Sequence, residues 1–214
     1  MKITVAGAGY AGLVTSACLA ELGHMVTCID IKKEKIDMLQ NGRSPIFEPG
    51  LESLLEKNLH NGQLNFTESH HQAYSEAEVI LIAVGAPKKP DGSRDLKYIH
   101  VVSHTIAHYI ENDVTVCTIS TVPVGTNNLI QEIINRSKPP NLQANVVANI
   151  WFFREGSAIR DFFQGDLIVI GTNHPEAAII MEKIYQPLKI PLIITDIRSA
   201  EIIKNASKAE GNRQ

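Results

Sequence analysis

The sequence predicts a doubly wound α/β sheet, parallel and covered by helices on both faces. Three observations predict it. Short runs of β-branched and aliphatic residues alternate with helical patterns over all 214 residues. Apolar runs of this kind, flanked by helices, are what a parallel sheet covered on both faces requires. A G-x-G-x-x-G follows the first run directly and opens a helix.

The elements follow in order. Residues 3–6 form the first strand. Met1-Lys2-Ile3-Thr4-Val5 is no signal peptide, because a glycine turn interrupts it and no small-residue cleavage site follows. An amphipathic stretch runs to Leu22, followed by a strand over Met25–Ile29 and a helix over 32–40. Residues 51–59 read as a helix and Leu64–Thr67 as a short strand. Residues 79–84, 114–119, 146–149 and 167–170 are four more strands, each followed by a helical pattern. Pro139-Pro140-Asn141 is a loop within the domain, and residues 199–209 have helical spacing before a polar run over 210–214.

Bulk properties narrow the function. A hydrophobic fraction of 44% with 20% charged residues is that of an ordinary globular protein and argues against disorder. A net charge of −3 gives no electrostatic footprint for nucleic acid or an anionic membrane. No apolar run reaches membrane-spanning length, and the default expectation is a cytoplasmic protein. Cys18, Cys28 and Cys117 lie in apolar runs without CxxC or disulfide-like spacing, so they read as small buried hydrophobes. His70-His71 and the His104/His108 pair lack the companions a metal site needs, and no metal is expected.

The glycine motif, Gly7-Ala8-Gly9-Tyr10-Ala11-Gly12, has a mechanical reading. Gly7 permits the tight turn, Gly9 lets backbone approach a pyrophosphate, and Gly12 lets helix pack close to strand. Free N–H groups and the helix dipole stabilise the phosphate charge. The second strand ends at Asp30, about 20 residues past the turn, where a carboxylate takes the ribose 2′-OH of a dinucleotide. Its charge repels a 2′-phosphate, so the sequence predicts a Rossmann-type domain that prefers NAD to NADP. FAD uses the same fingerprint and is the alternative.

Further segments resemble the UDP-glucose/GDP-mannose dehydrogenase family, most closely its UDP-glucose 6-dehydrogenase branch. They are Phe47-Glu48-Pro49-Gly50-Leu51, Val84-Gly85-Ala86-Pro87 and Ser120-Thr121-Val122-Pro123-Val124-Gly125-Thr126. Downstream come Arg154-Glu155-Gly156-Ser157-Ala158-Ile159, Ile168-Val169-Ile170-Gly171 and Ser199-Ala200-Glu201-Ile202-Ile203-Lys204. The resemblance covers essentially the whole chain and implies two successive NAD-dependent oxidations of a sugar C6 alcohol through a thioester. It places Tyr10 and Ala11 on the cofactor turn and Lys35 at the adenosine ribose beside Asp30. It sets Val84, Gly85, Ala86 and Pro87 along the cofactor, Ser120 and Thr121 at the reacting centre, and Glu155 on the nicotinamide side. Thr121 and Lys204 carry catalytic roles in it, and Phe152, Phe153, Arg154 and Lys204 meet the sugar nucleotide. Read without the resemblance, Ser120-Thr121-Val122-Pro123 is a plain helix N-terminus, with Thr as cap and Pro in the first turn.

The chain also departs from the pattern. Trp151 stands where the family carries a Glu that serves the acid–base and hydrolytic steps, and indole can neither accept a proton nor activate water. Ala86 replaces a Thr beside the cofactor. Lys208 replaces an Asn one helical turn after Lys204, and two ammonium groups at i, i+4 repel modestly. Lys204 and Lys208 also read as a solvated helix face. None of the three cysteines has the context of the family's nucleophile, which lies beyond position 214, and without a thiolate no thioester forms.

The resemblance divides the chain into an NAD-binding domain over 1–198 and the start of an interdomain helix over 199–214. Its abrupt polar end reads as a truncated product, with residues beyond about Lys208 fraying and the chain a monomer or weak homodimer. The expected function is the NAD-binding domain of an enzyme that oxidises UDP-glucose to UDP-glucuronate in polysaccharide biosynthesis, inactive alone. Two alternatives stand beside it: a non-catalytic NAD-binding or regulatory module, and a short oxidoreductase using Lys204 for a single hydride transfer.

Overall fold

A computed structural model describes the backbone of residues 1–211 and the side chains of residues 1–206. Lys208 and the polar run over 212–214 lie outside the described side chains or residues, and with them the expectations of charge repulsion and fraying.

The strands are β1 (Lys2–Ala6), β2 (Met25–Ile29), β3 (Leu64–Thr67), β4 (Val79–Ile82), β5 (Val114–Thr118), β6 (Ala144–Ile150), β7 (Ile168–Gly171) and β8 (Leu192–Thr195). The helices are α1 (Tyr10–Glu21), α2 (Lys33–Gln40), α3 (Leu51–His60), α4 (His70–Tyr74), α5 (Lys97–Tyr109), α6 (Thr126–Ser137), α7 (Ala158–Gln164), α8 (Pro175–Tyr185) and α9 (Ile197–Gly211). The sheet order is β3-β2-β1-β4-β5-β6-β7-β8. Its first six strands have the doubly wound Rossmann order, with ligands expected at the carboxyl ends where the order reverses between β1 and β4.

Side-chain alternation along each strand divides the core. Ile3 and Val5 of β1, Val79 and Leu81 of β4 and Cys117 of β5 pack against α1, α3, α7 and α8. Ala6, Ile80, Ile82, Val114 and Val116 point the other way, against α4, α5 and α6. Each fully buried Ile, Leu or Val contributes roughly 1.5–3 kcal/mol. Runs apolar on both faces therefore specify the sheet more strongly than any propensity does.

Three expectations change. The sheet is not wholly parallel: β7 runs antiparallel to β6, pairing Ala148 with Gly171 and Ile150 with Val169, and β8 runs parallel to β7. The connection over 151–167, which holds the seven-residue α7, returns the chain antiparallel to β6. The edge strand β8 and the short α4, capped by the Ser69 side chain at Gln72 N, carry no periodic signal of their own and were not expected. Thr121 caps no helix: α6 begins at Thr126, and its N-cap is Gly125 at φ +93°, a left-handed conformation that glycine tolerates.

The reversal has a consequence for the site. Because β8 runs against the first six strands, α9 starts at the amino edge of the sheet and travels back toward its carboxyl edge. Ala200 lies against β7 so tightly that a Cβ on Gly171 would sit 2.4 Å from Ala200 Cβ. Lys204 follows one turn later. No described helix is long and apolar enough to cross a membrane.

Candidate functional site

At the carboxyl end of β1 the chain makes its glycine turn. Gly7 adopts φ +111°, and its N–H donates to Ile29 O at 2.8 Å, tying the turn to the end of β2. A Cβ on Gly12 would lie 1.9 Å from Gly7 O, so only glycine lets α1 start this close to the strand. A Cβ on Gly9 would meet nothing within 4 Å. Packing does not demand glycine at Gly9. The open space lies at the N-terminus of α1, where the first-turn N–H groups lack intrahelical acceptors.

Asp30 closes this end. Its carboxylate accepts from Ala8 N at 2.9 Å, Lys32 N at 3.1 Å and Lys35 Nζ at 2.8 Å. Burial alone would push this carboxyl up, but the Lys35 ammonium and the two backbone N–H groups together hold it below the ordinary carboxylate range. It is an anion at every physiological pH.

A cavity of about 770 Å³ runs from the turn across the carboxyl edge of the sheet. It brings together Tyr10 and Ala11, Ser120 and Thr121, the 151–155 segment, and Lys204 from α9. Neither Asp30 and Lys35 nor Val84–Pro87 line it; Asp30 reaches the glycine turn through Ala8 N. Ala86 is buried in the second core instead, and Ser120 Oγ donates to Val84 O at 2.7 Å, fixing that segment behind the wall. The hydroxyl missing at Ala86 is thus missing from a packed position.

The far wall is aromatic. Trp151 is 4% exposed and its indole lies between Phe162 and Phe153, with ring centroids 4.6 and 5.4 Å away. Its Nε1 donates to the Tyr185 hydroxyl at 3.2 Å, which donates in turn to Asn149 Oδ1. Lys204 Nζ donates to the Trp151 carbonyl oxygen and stands 5.8 Å from the centre of the half-exposed Phe152 ring. Arg154 engages Asp161 through Nη2 at 2.7 Å, Nε at 3.3 Å and its backbone N at 3.0 Å. Burial raises the Asp161 carboxyl, but the guanidinium, the Arg154 N–H and the Ser157 hydroxyl together bring it below the usual range.

The comparisons with known proteins agree with this geometry. Residues 1–189 match the UDP-glucose/GDP-mannose dehydrogenase family, NAD binding domain. The chain belongs to this family. It is 50% identical over 209 residues to the UDP-glucose 6-dehydrogenase YwqF of Bacillus subtilis, an alignment covering 98% of this chain and 48% of that one. It is 42% identical to the UDP-glucose 6-dehydrogenase TuaD of the same organism, over 97% of this chain and 45% of the relative. Among solved structures, the UDP-glucose dehydrogenase of Pyrobaculum islandicum superposes with a TM-score of 0.93 at 36% identity, covering 96% of this chain and 48% of that chain. The GDP-mannose dehydrogenase of Pseudomonas aeruginosa does so with a TM-score of 0.94 at 34% identity, over 100% and 50%. The chain spans about half the length of these relatives.

For a UDP-glucose/GDP-mannose dehydrogenase NAD-binding domain the described residues fit the cofactor. The space beside Gly9 at the N-terminus of α1 is open, Asp30 is a part-buried carboxylate next to the turn, and the cavity opens beside Tyr10 and Ala11. The three cysteines do not belong to the site. Cys18, Cys28 and Cys117 are buried, and burial pushes all three thiols up, Cys28 to about 12. Among the described residues no group of three or more His, Cys, Asp or Glu is placed to hold a metal. His70 stacks on Tyr74, and His104 Nδ1 lies 3.3 Å from Ser137 Oγ.

Four polar residues that build the site were assigned no role from sequence: Glu48, Asp161, Glu201 and Asn205. Glu48 and Glu201 stood inside quoted motifs, so their presence was legible and their contacts were not. Asn205 Nδ2 donates to Val122 O at 3.0 Å, which only the return of α9 makes possible.

Proposed function

We propose that this chain is the NAD-binding half of a UDP-glucose 6-dehydrogenase, with the adenosine ribose at Asp30 and Lys35 and the nicotinamide in the cavity between Thr121 and Glu155. The single observation that carries this reading is the continuous cavity from the glycine turn to Lys204. NAD, when bound, supplies a hydride acceptor. Around it the α1 N-terminus and Gly9 take the diphosphate, and Asp30 selects against a 2′-phosphate. Ser120 and Thr121 orient the reacting end. Phe152, Phe153 and Arg154 form the wall a sugar nucleotide meets. The Lys204 ammonium, held by the Trp151 carbonyl, stabilises negative charge developing on the sugar C6 oxygen.

Residues 1–198 act as the NAD-binding domain, and α9 is the start of the connection to whatever completes the sugar-nucleotide site. A cytoplasmic setting and a monomer or weak homodimer belong to the same proposal. A second reading, a non-catalytic NAD-binding module, is favoured by Trp151. Its indole is packed into the wall, and no buried thiol of this chain can reach the cavity, so the acid-forming step has neither a base at position 151 nor a nucleophile.

The test is to titrate the chain with NAD and then follow NADH absorbance with UDP-glucose present. Saturable NAD binding without NADH above background is expected. Steady NADH production that Lys204→Ala abolishes would contradict the inactivity and establish a single-hydride oxidoreductase.

A further inference from the structure

Glu48 lies in the loop between α2 and α3 and is 5% exposed. Among the described residues it forms no ion pair. Its carboxylate accepts from the Tyr10 hydroxyl, from Gly156 N at 2.8 Å and, more weakly, from Ile159 N at 3.4 Å. These donors come from two separate parts of the site. Tyr10 is the first residue of α1, on the glycine turn, while Gly156 and Ile159 belong to the segment after β6. Gly156 N also reaches the Tyr10 hydroxyl oxygen at 3.2 Å, so the three groups close on one another.

The cost of this arrangement argues for a purpose. A buried carboxylate without a cation is expensive unless its lone pairs are met by donors, and here a phenol and two amides meet them. Burial, and after it the bond to Glu48, push the Tyr10 phenol up to about 12, so it remains a donor throughout the physiological range. Gly156 takes φ +85°, a left-handed turn residue that the bond to Glu48 pins in place. One position earlier is Glu155, which lines the main cavity, and one before that is Arg154, whose N–H is held by Asp161. Glu155 therefore stands between two anchored peptides, and Glu48 does not line that cavity but a second one, of about 460 Å³, shared with Gly156 and Ile159.

We propose that Glu48 is a positioning residue that latches the 154–157 turn to the glycine turn through Tyr10 and so sets the nicotinamide end of the cavity before NAD arrives. This rests on the placement of nicotinamide beside Glu155 given above. A turn held in its bound geometry spares the ligand the cost of ordering it, and that cost falls on NAD but not on a ligand lacking nicotinamide.

The experiment compares NAD with ADP-ribose by calorimetry in the wild type, Glu48→Gln and Tyr10→Phe, with amide exchange at Gly156 read in each. Glu48→Gln removes the charge and leaves one acceptor oxygen, so its NH2 must face either the Tyr10 hydroxyl and Gly156 N–H or the Ile159 N–H. NAD affinity should fall about tenfold while ADP-ribose changes less than about twofold, and Gly156 exchange should accelerate. Tyr10→Phe keeps the carboxylate's backbone bonds and should show the same selectivity to a smaller degree, which preserves the test if Glu48→Gln misfolds. Equal losses for both ligands, or an unchanged NAD affinity, would overturn the latch. A wild type that binds ADP-ribose but gains nothing from nicotinamide would refute the placement instead, and Gly156 exchange would still decide whether Glu48 pins the turn.

Discussion

Gly9 and Gly12 are two glycines of one motif with opposite reasons to be glycine, and substitution should separate them. Gly12→Ala drives a methyl into Gly7 O, so α1 must shift and stability should fall by about 1–3 kcal/mol or more. Gly9→Ala meets open space and should leave the melting temperature nearly unchanged while NAD affinity drops sharply. Thermal melts with NAD titrations on both variants check this. Equal destabilisation by the two would show that Gly9 serves packing. His24 supplies a pH signature. It is buried with Nε2 3.3 Å from Ile184 O, and burial lowers its pKa from 6.5 despite that hydrogen bond. The unfolded chain therefore takes up the proton first. Its contribution is complete above pH 6.5 and is lost as the pH falls through the lower folded value. Melting temperatures from neutral pH to about pH 5 should decline, and His24→Gln should flatten the decline.

At the scale of elements, α9 clamps the reacting loop. Glu201, 2% exposed, accepts from Gly125 N at 2.6 Å, Asn127 N at 2.9 Å and Asn127 Nδ2 at 2.7 Å, so a side chain from α9 caps the N-terminus of α6. Removing it orphans the two donors of buried Asn127 at about 1–3 kcal/mol each, while exposed Gly125 N can turn to water, so Glu201→Ala should cost roughly 2–4 kcal/mol in urea unfolding, with Glu201→Gln intermediate. A loss near zero would mean that water replaces the carboxylate. This cap shows where sequence reading stops. Thr121 and Pro123 look like a local helix start, and the true cap comes from a residue 74 positions away. The strands over Met25–Ile29 and Leu64–Thr67 were legible to the residue because each is a short run rich in apolar and β-branched residues with turn residues on either side. β8 was not, because Leu192–Thr195 is a half-exposed edge with one neighbour and no periodicity. Its direction, set by how the chain turns after β6, leaves no mark in the residues themselves.

At the scale of the whole molecule, the cofactor half was readable because a glycine turn after the first strand and an acid at the end of the second stand at a fixed spacing, and the adjacent parallel strands bring them together. The other end of the cavity joins Ser120, Trp151 and Lys204 across three elements, and its assembly depends on the antiparallel step that returns α9 to the carboxyl edge. The departure at Trp151 was visible from sequence, but the stack of aromatic rings that makes it part of the wall was not. The central claim, that this edge binds NAD and that Asp30 selects it, is tested most directly by titrating NAD and NADP against the wild type and Asp30→Ala. A carboxylate facing the ribose should give NAD at least about a tenfold advantage in the wild type. Asp30→Ala frees Lys35 to meet a 2′-phosphate, so the variant should lose NAD affinity and gain NADP affinity. Equal affinity of the wild type for both cofactors would contradict the account.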